Sequence, residues 1–273
     1  VIKLESHDID TIYLHVGPLK SDGRIDEETY GATLNFVEKV KRFKNEMYVY
    51  AWIGQLRGKI NLENPDIRKN ISNMGMIFTK MIGMDGIHLD IEPVWDGDVD
   101  FISLLAELRE VLDTGSGLGS EEKFLSVALA EFIPSSFIWW VENAVNFKNY
   151  NTEVNYLNVA QYADQIVDMV YDTGIDEGWL YQWFVKEQVI WVTDLLDEKD
   201  PTDTEFLIGV PAYEDVKEGF NPEVENIGAA LVGLINGLND IRSNEDKFTG
   251  VAIYAEWEVD ENEWGIYDGL WLK

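Results

Sequence analysis

The feature that most restricts the fold of this chain is a repeat of element type rather than of letters. Strand-like runs occur at "DTIYLHV", "MYVYAWI", "GIHLDIE", "FLSVALA", "IVDMVYD", "FLIGVPAY" and "GVAIYAEW", their starts about forty residues apart. Between them lie helical patterns: "DEETYGATLNFVEKVKRF", "NPDIRKNISNMGMIFTKMI", "DVDFISLLAELREVL", "PSSFIWWVENAVNF", "EGWLYQWFVKEQVIWVTDLL" and "NPEVENIGAALVGLINGLNDI". Several open on Asp, Asn, Ser or Pro, the residues that satisfy or tolerate the bare N–H groups of a helix start. A strand that must run parallel to the next needs a crossover, and a helix is the usual one. Regular alternation therefore predicts a parallel sheet wrapped by helices.

Seven strands in 273 residues nearly fill a (β/α)8 TIM barrel, whose typical size is about 250 residues. The strand still needed is the first: "VIKLESHDID" reads as the end of a helix leading into "TIYLHV". Because the chain starts at Val1 rather than Met, either an upstream segment carries that strand or the barrel is incomplete. At the other end "DENEWGIYDGLWLK" supplies a short closing helix. No linker divides the chain, so residues 1–273 read as one domain. The competing fold is a doubly wound open sheet, but no glycine fingerprint follows the first strand. "GSGLGS" (115–120) precedes a strand, lacks a P-loop Lys and reads as a loop.

Charge and composition exclude several classes of function. There are 21 basic and 51 acidic residues, a formal charge of −30, and that field repels nucleic acid phosphates and anionic lipid. No apolar run reaches the roughly 20 residues that cross a bilayer, and no signal peptide is visible. With no cysteine, disulfides and thiolate chemistry are excluded; with three histidines, so is a His-rich metal site. "DGDVD" (96–100) lacks the glycine and terminal Glu of a calcium loop and reads as a helix cap. Asn70-Ile71-Ser72 matches a glycosylation sequon in letters only, inside a predicted helix. The aromatic helix 180–196 reads as barrel packing, with an oligomer contact as the alternative; the oligomeric state is left open.

Strand parity then separates scaffold from site. Successive side chains of a strand point to opposite faces. One set is apolar: Ile12, Leu14 and Val16; Val49, Ala51 and Ile53; Ile87, Leu89 and Ile91; Val251 and Ile253. The other holds Tyr13 and His15; Tyr48, Tyr50 and Trp52; His88, Asp90 and Glu92; Ser126 and Ala128; Met169 and Tyr171; Pro211 and Tyr213; Tyr254 and Glu256. Branched aliphatics normally fill a barrel interior, whereas this set is aromatic and polar. Flat rings stack on sugar C–H faces, and carboxylates bind hydroxyls, so an oligo- or polysaccharide is the expected ligand. His15 taken alone reads as structural. Glu92 closes its strand just before Pro93, where aromatic walls and a second carboxylate, Asp90, about 6.6 Å back along the strand, suit it to be a general acid.

These residues resemble a known family. "DGIHLDIE" is similar to DGxDxDxE, the strand-four signature of family 18 glycoside hydrolases, the chitinases and their relatives. "MVYD" (169–172) resembles that family's strand-six MxYD, "LIGVPAY" (207–213) its strand seven, and "GVAIYAEW" its last strand. The resemblance implies a substrate-assisted retaining mechanism with no metal and no cofactor. Glu92 would be the acid/base, Asp90 would orient the acetamido group, and Tyr171 would hydrogen-bond the acetamido oxygen with Asp172 beside it. Tyr213, Met169, Tyr254, Trp52, Tyr50, Tyr13 and His88 would line the substrate site. The family's first Asp, which sits beneath the middle one and can share its proton, is His88 here; its ring is expected to donate to Asp90. "AWIGQ" replaces the family's SxGG, and Tyr254 replaces its Trp. Two alternatives stay open: a noncatalytic sugar-binding relative, and a two-carboxylate retaining glycosidase with Glu214 or Glu256 as nucleophile. A polymeric glycan would place the protein outside the cell.

Overall fold

The computed structural model describes residues 1–114, 123–139, 150–200, 202–213 and 219–272. "GSGLGS", Glu214 and most of the helical pattern beginning at Pro134 lie outside these residues. Among the described residues seven parallel strands alternate with helices, so the fold is α/β, of the (β/α)8 TIM-barrel class with seven of its strands described. Among the described residues no helix is long and apolar enough to cross a membrane.

The chain forms two compact units, Val1–Ala128 with Tyr162–Asp164, and Leu129–Gln161 with Gln165–Lys273. The first contains α1 (Ile2–Ser6), β1 (Thr11–Pro18), α2 (Tyr30–Phe43), β2 (Tyr48–Leu56), α3 (Pro65–Met76), β3 (Gly86–Glu92), α4 (Val99–Asp113) and most of β4 (Phe124–Ala130). The strands pair in chain order, with Trp52 opposite His88, Gly54 opposite Asp90, and His88 opposite Ser126. The predicted apolar set is enclosed on β2, β3 and β4: Val49, Ala51, Ile53, Ile87, Leu89, Ile91, Leu125 and Val127 are fully buried. Each such aliphatic contributes about 1.5–3 kcal/mol when fully buried. Ile12 and Leu14 on β1 are half-buried.

Side chains end the helices of this unit as the sequence suggests. Asn64 Oδ1 accepts from Asp66 N–H at 2.9 Å with Pro65 at the first helical position, and Asp98 Oδ1 accepts from Phe101 N–H at 3.0 Å. Asp98 of "DGDVD" is thus a helix cap, and a buried ion pair ties it to Arg57. Asn70 of the sequon lies on α3 and donates to the Asp22 carbonyl, beside buried Ile71 and Ser72. Helices α3 and α4 meet closely at Gly75, where a Cβ would sit 2.6 Å from Leu108 Cδ1.

The second unit contains α5 (Glu153–Ala160), β5 (Gln165–Met169), α6 (Gly178–Lys199), β6 (Glu205–Pro211), α7 (Ile227–Leu238), β7 (Phe248–Tyr254) and α8 (Glu261–Leu270). Helix α7 lies against α6 through Gly233 and Gly237, whose absent Cβ atoms would fall 2.5 Å from the Gln182 carbonyl oxygen and 2.8 Å from Val189 Cβ. The closing helix α8 begins with a capping box: Asp260 and Glu263 each accept the other's backbone N–H. Helix α5 is not expected from the pattern. It is eight residues long, and its buried set is Asn155, Tyr156, Val159 and Ala160.

Candidate active site

In the first unit the predicted residues converge on β3. His88 is buried, while Asp90 and Glu92 are half-buried, all on one face. Tyr13 stacks on the His88 ring with centroids 4.2 Å apart, and Tyr50 lies 5.9 Å from Tyr13. His88 Nδ1 lies 2.9 Å from Ser126 Oγ, its partner straight across the ladder. Burial pushes the His88 imidazole down to about 3, so the ring is neutral near pH 7. The expected bond from His88 to Asp90 is absent. Trp52 supplies it instead: its Nε1–H donates to Asp90 Oδ2 at 2.8 Å, leaving Asp90 Oδ1 buried and unpartnered. Burial raises the Asp90 carboxyl, and the indole N–H opposes that rise. His15 is exposed, edge-on to Trp52 at 5.0 Å, and burial of its ring lowers its pKa. Past the end of β3, Arg57 lies over the half-exposed Trp95 ring, 4.7 Å from its centroid.

In the second unit the predicted residues form a separate aromatic group. Strand β5 ends at Met169 and β6 at Pro211, so Tyr171, Asp172 and Tyr213 stand just beyond the strand ends rather than on them. Tyr254 stacks on Tyr171 at 5.5 Å with ring planes 12° apart, and Tyr213 meets both edge-on at 5.6 and 6.1 Å. The Tyr213 hydroxyl donates to Asp172 Oδ1 at 2.6 Å, which with burial drives its pKa upward. Asp172 adopts φ 61°, a left-handed conformation in which Asp is among the tolerated residues. Gly209, opposite Met169, leaves space that a Cβ would take 3.2 Å from Tyr171 Cε1. Glu256 falls in the turn after β7 and is exposed, which corrects its predicted place on the inner face of the last strand.

Three acidic residues of this unit were not singled out by the sequence. Glu225 is fully buried and accepts from Thr173 Oγ1 at 2.7 Å and from Thr173 N–H at 3.3 Å; burial lifts its carboxyl to about 7. Through Thr173 it anchors the residue next to Asp172. Asp168 on β5 and Glu131 just after β4 are buried, and the Tyr156 hydroxyl, which donates to the Ala130 carbonyl at 3.1 Å, bears on Asp168. Neither Asp168 oxygen has a partner at hydrogen-bond distance. Burial raises both carboxyls well above the usual range, and for Glu131 the neighbouring Asp168 adds to it. Among the described residues no group of three or more His, Cys, Asp or Glu is placed to hold a metal ion.

Comparison with known proteins decides the family. The sequence model of "Glycosyl hydrolases family 18" matches residues 4–267. The chain belongs to that family. This family 18 chain is accordingly a glycosidase. Similar solved structures include a family 18 N-acetylglucosaminidase from Paenibacillus barengoltzii, at TM-score 0.65 and 14% identity over 100% of this chain and 95% of that one. A class V chitinase from Pseudomonas fluorescens Pf-5 gives 0.63 and 13%, with the same coverage. A mutant class V chitinase from Nicotiana tobaccum, in complex with NAG4, gives 0.54 and 19% over 75% of this chain and 60% of that one. At such identities the likeness shows the fold. Comparison with curated proteins finds no match.

Proposed function

We propose that this family 18 glycosidase hydrolyses β-linked N-acetylglucosamine-containing glycans by a substrate-assisted, retaining mechanism. One observation carries the reading: on a single face of β3, Asp90 presents an unpartnered buried oxygen two residues before Glu92. In the first step the acetamido oxygen of the sugar attacks its own anomeric carbon as the glycosidic C–O bond breaks. Glu92 gives its proton to the departing oxygen. Asp90 Oδ1 takes the acetamido N–H, orienting that group and countering the charge of the oxazolinium ion. In the second step water adds to the anomeric carbon, Glu92 takes back a proton, and the ring opens to restore the acetamide. The assignments of Tyr171 and Asp172 are supported by the likeness of "MVYD" to the family motif alone.

A neutral glycan is compatible with a chain of formal charge −30. The NAG4 bound to one similar chitinase supports the same ligand class. A polymeric substrate argues for action outside the cell, which activity in the medium rather than in washed cells of the source would test. The decisive assay is hydrolysis of N-acetylglucosamine oligomers by wild type and by Glu92→Gln. Wild type cleaves; Glu92→Gln binds the oligomers with similar affinity and turns over at least about 1,000-fold more slowly. A Glu92→Gln variant retaining more than a tenth of the wild-type rate would contradict the assignment.

A further inference from the structure

Two of the three places where this chain departs from its family's motifs lie against one another. His88 stands where the family has an Asp beneath the middle carboxylate, and "AWIGQ" stands where it has SxGG. His88 is neutral, stacked on Tyr13, with Nδ1 against Ser126 Oγ, and it makes no hydrogen bond to Asp90. The group that reaches Asp90 comes from "AWIGQ". Trp52 lies opposite His88, two ladder positions short of Asp90, so its indole must lean along the strand to place Nε1–H on Asp90 Oδ2. Gly54, the residue opposite Asp90, makes that lean possible. A Cβ there would meet the Asp90 carbonyl oxygen at 2.9 Å, Trp52 Nε1 at 3.4 Å and Asp90 Oδ2 at 3.5 Å.

We propose that Trp52 is a positioning residue that fixes which oxygen of Asp90 meets the substrate, in place of the carboxylate this chain lacks beneath Asp90. An indole N–H only donates, so the oxygen it binds must accept in either protonation state of Asp90. Any proton on that carboxyl therefore sits on Oδ1, and Oδ1 is the oxygen with no protein partner. Bound acetamide then meets one prearranged atom instead of two exchangeable ones, an economy of reorientation at the reacting centre. Trp52, Gly54 and His88 form one coupled device: the indole orients, the glycine admits the indole, and the neutral imidazole fills the space beneath without competing for the carboxylate.

This inference rests on the reading of Asp90 as the acetamide-orienting group, and its test separates the two. Trp52→Phe keeps a flat ring and deletes the N–H. On N-acetylglucosamine oligomers its kcat should fall about 10- to 100-fold, with KM within about threefold of wild type. In an Asp90→Asn background the same substitution should cost nothing further, because its effect passes through Asp90. Adding His88→Asp to Trp52→Phe should recover about fivefold or more of the lost kcat by returning a carboxyl beneath Asp90. Independently of turnover, the Trp52 indole N–H resonance, one of ten and assigned by its loss in Trp52→Phe, should move upfield in Asp90→Asn. Strictly additive losses, a Trp52→Phe enzyme with wild-type kcat, or an indole signal indifferent to Asp90→Asn would overturn the proposal. Should wild type leave all N-acetylated oligomers intact, the substrate reading fails; the indole signal then decides by itself whether Trp52 holds Asp90.

Discussion

Buried, neutral His88 makes a quantitative claim about acid stability. In the unfolded chain its imidazole titrates at the ordinary 6.5, while in the folded protein burial lowers it to about 3. Between those values the unfolded state binds more protons, so the stabilising contribution is complete above pH 6.5 and is lost as pH falls toward 3. At pH 4 the gap spans two and a half pH units, and at about 1.36 kcal/mol per unit the loss comes to about 3 kcal/mol. That is a large share of the 5–15 kcal/mol typical of a native domain. His88→Asn retains a polar partner for Ser126 and cannot titrate. Urea unfolding followed by tryptophan fluorescence at pH 7 and pH 4 should show wild type losing about 3 kcal/mol more than the variant. Protons taken up by the acidic residues between pH 7 and pH 4 act on both proteins and cancel in the comparison. Equal losses would refute the reasoning, as would NMR titration in which all three histidines protonate near pH 6.5.

Other expectations follow from the same geometry. Asp168, held protonated by burial, lowers stability as pH rises above the ordinary carboxylate range, because there the native state binds the extra proton; Asp168→Asn should gain on the order of 1–3 kcal/mol over wild type at pH 8 and nothing at pH 4, by urea melts. Thr173→Val leaves one oxygen of buried Glu225 without its hydroxyl donor and should cost about 1–3 kcal/mol, read the same way. Gly54→Ala should lower kcat at least about tenfold while the protein still folds, since the new methyl displaces either Asp90 or the indole on it; unchanged kcat would show that the close approach is not needed.

Much of the fold was legible because strands and helices leave different periods in the sequence, and because parity alone separated Ile87, Leu89 and Ile91 from His88, Asp90 and Glu92. The helix caps at Asn64, Asp98 and Asp260 were legible for a similar reason: short polar side chains next to apolar periods have few other uses. What the sequence did not show was cross-strand register. That Trp52 reaches Asp90, and His88 reaches Ser126, depends on which residues face one another across the ladder, and nothing local encodes it. The buried acids escaped notice for the opposite reason. In a chain with 51 acidic residues, Glu131, Asp168 and Glu225 look like solvated surface, and only packing reveals them as enclosed and protonation-sensitive. Helix α5 was missed because eight residues give little more than two turns of period, and polar Asn155 interrupts its buried set.

In the proposed mechanism the sugar's own acetamido group is the nucleophile, served by Glu92 and Asp90. Side-by-side hydrolysis of N-acetylglucosamine oligomers and their fully N-deacetylated counterparts, with and without a thiazoline analogue, tests it most directly. A nucleophilic acetamido group gives turnover of the acetylated series alone, and inhibition of that turnover by the thiazoline. Cleavage of the deacetylated oligomers at a comparable rate, unaffected by the analogue, would contradict it.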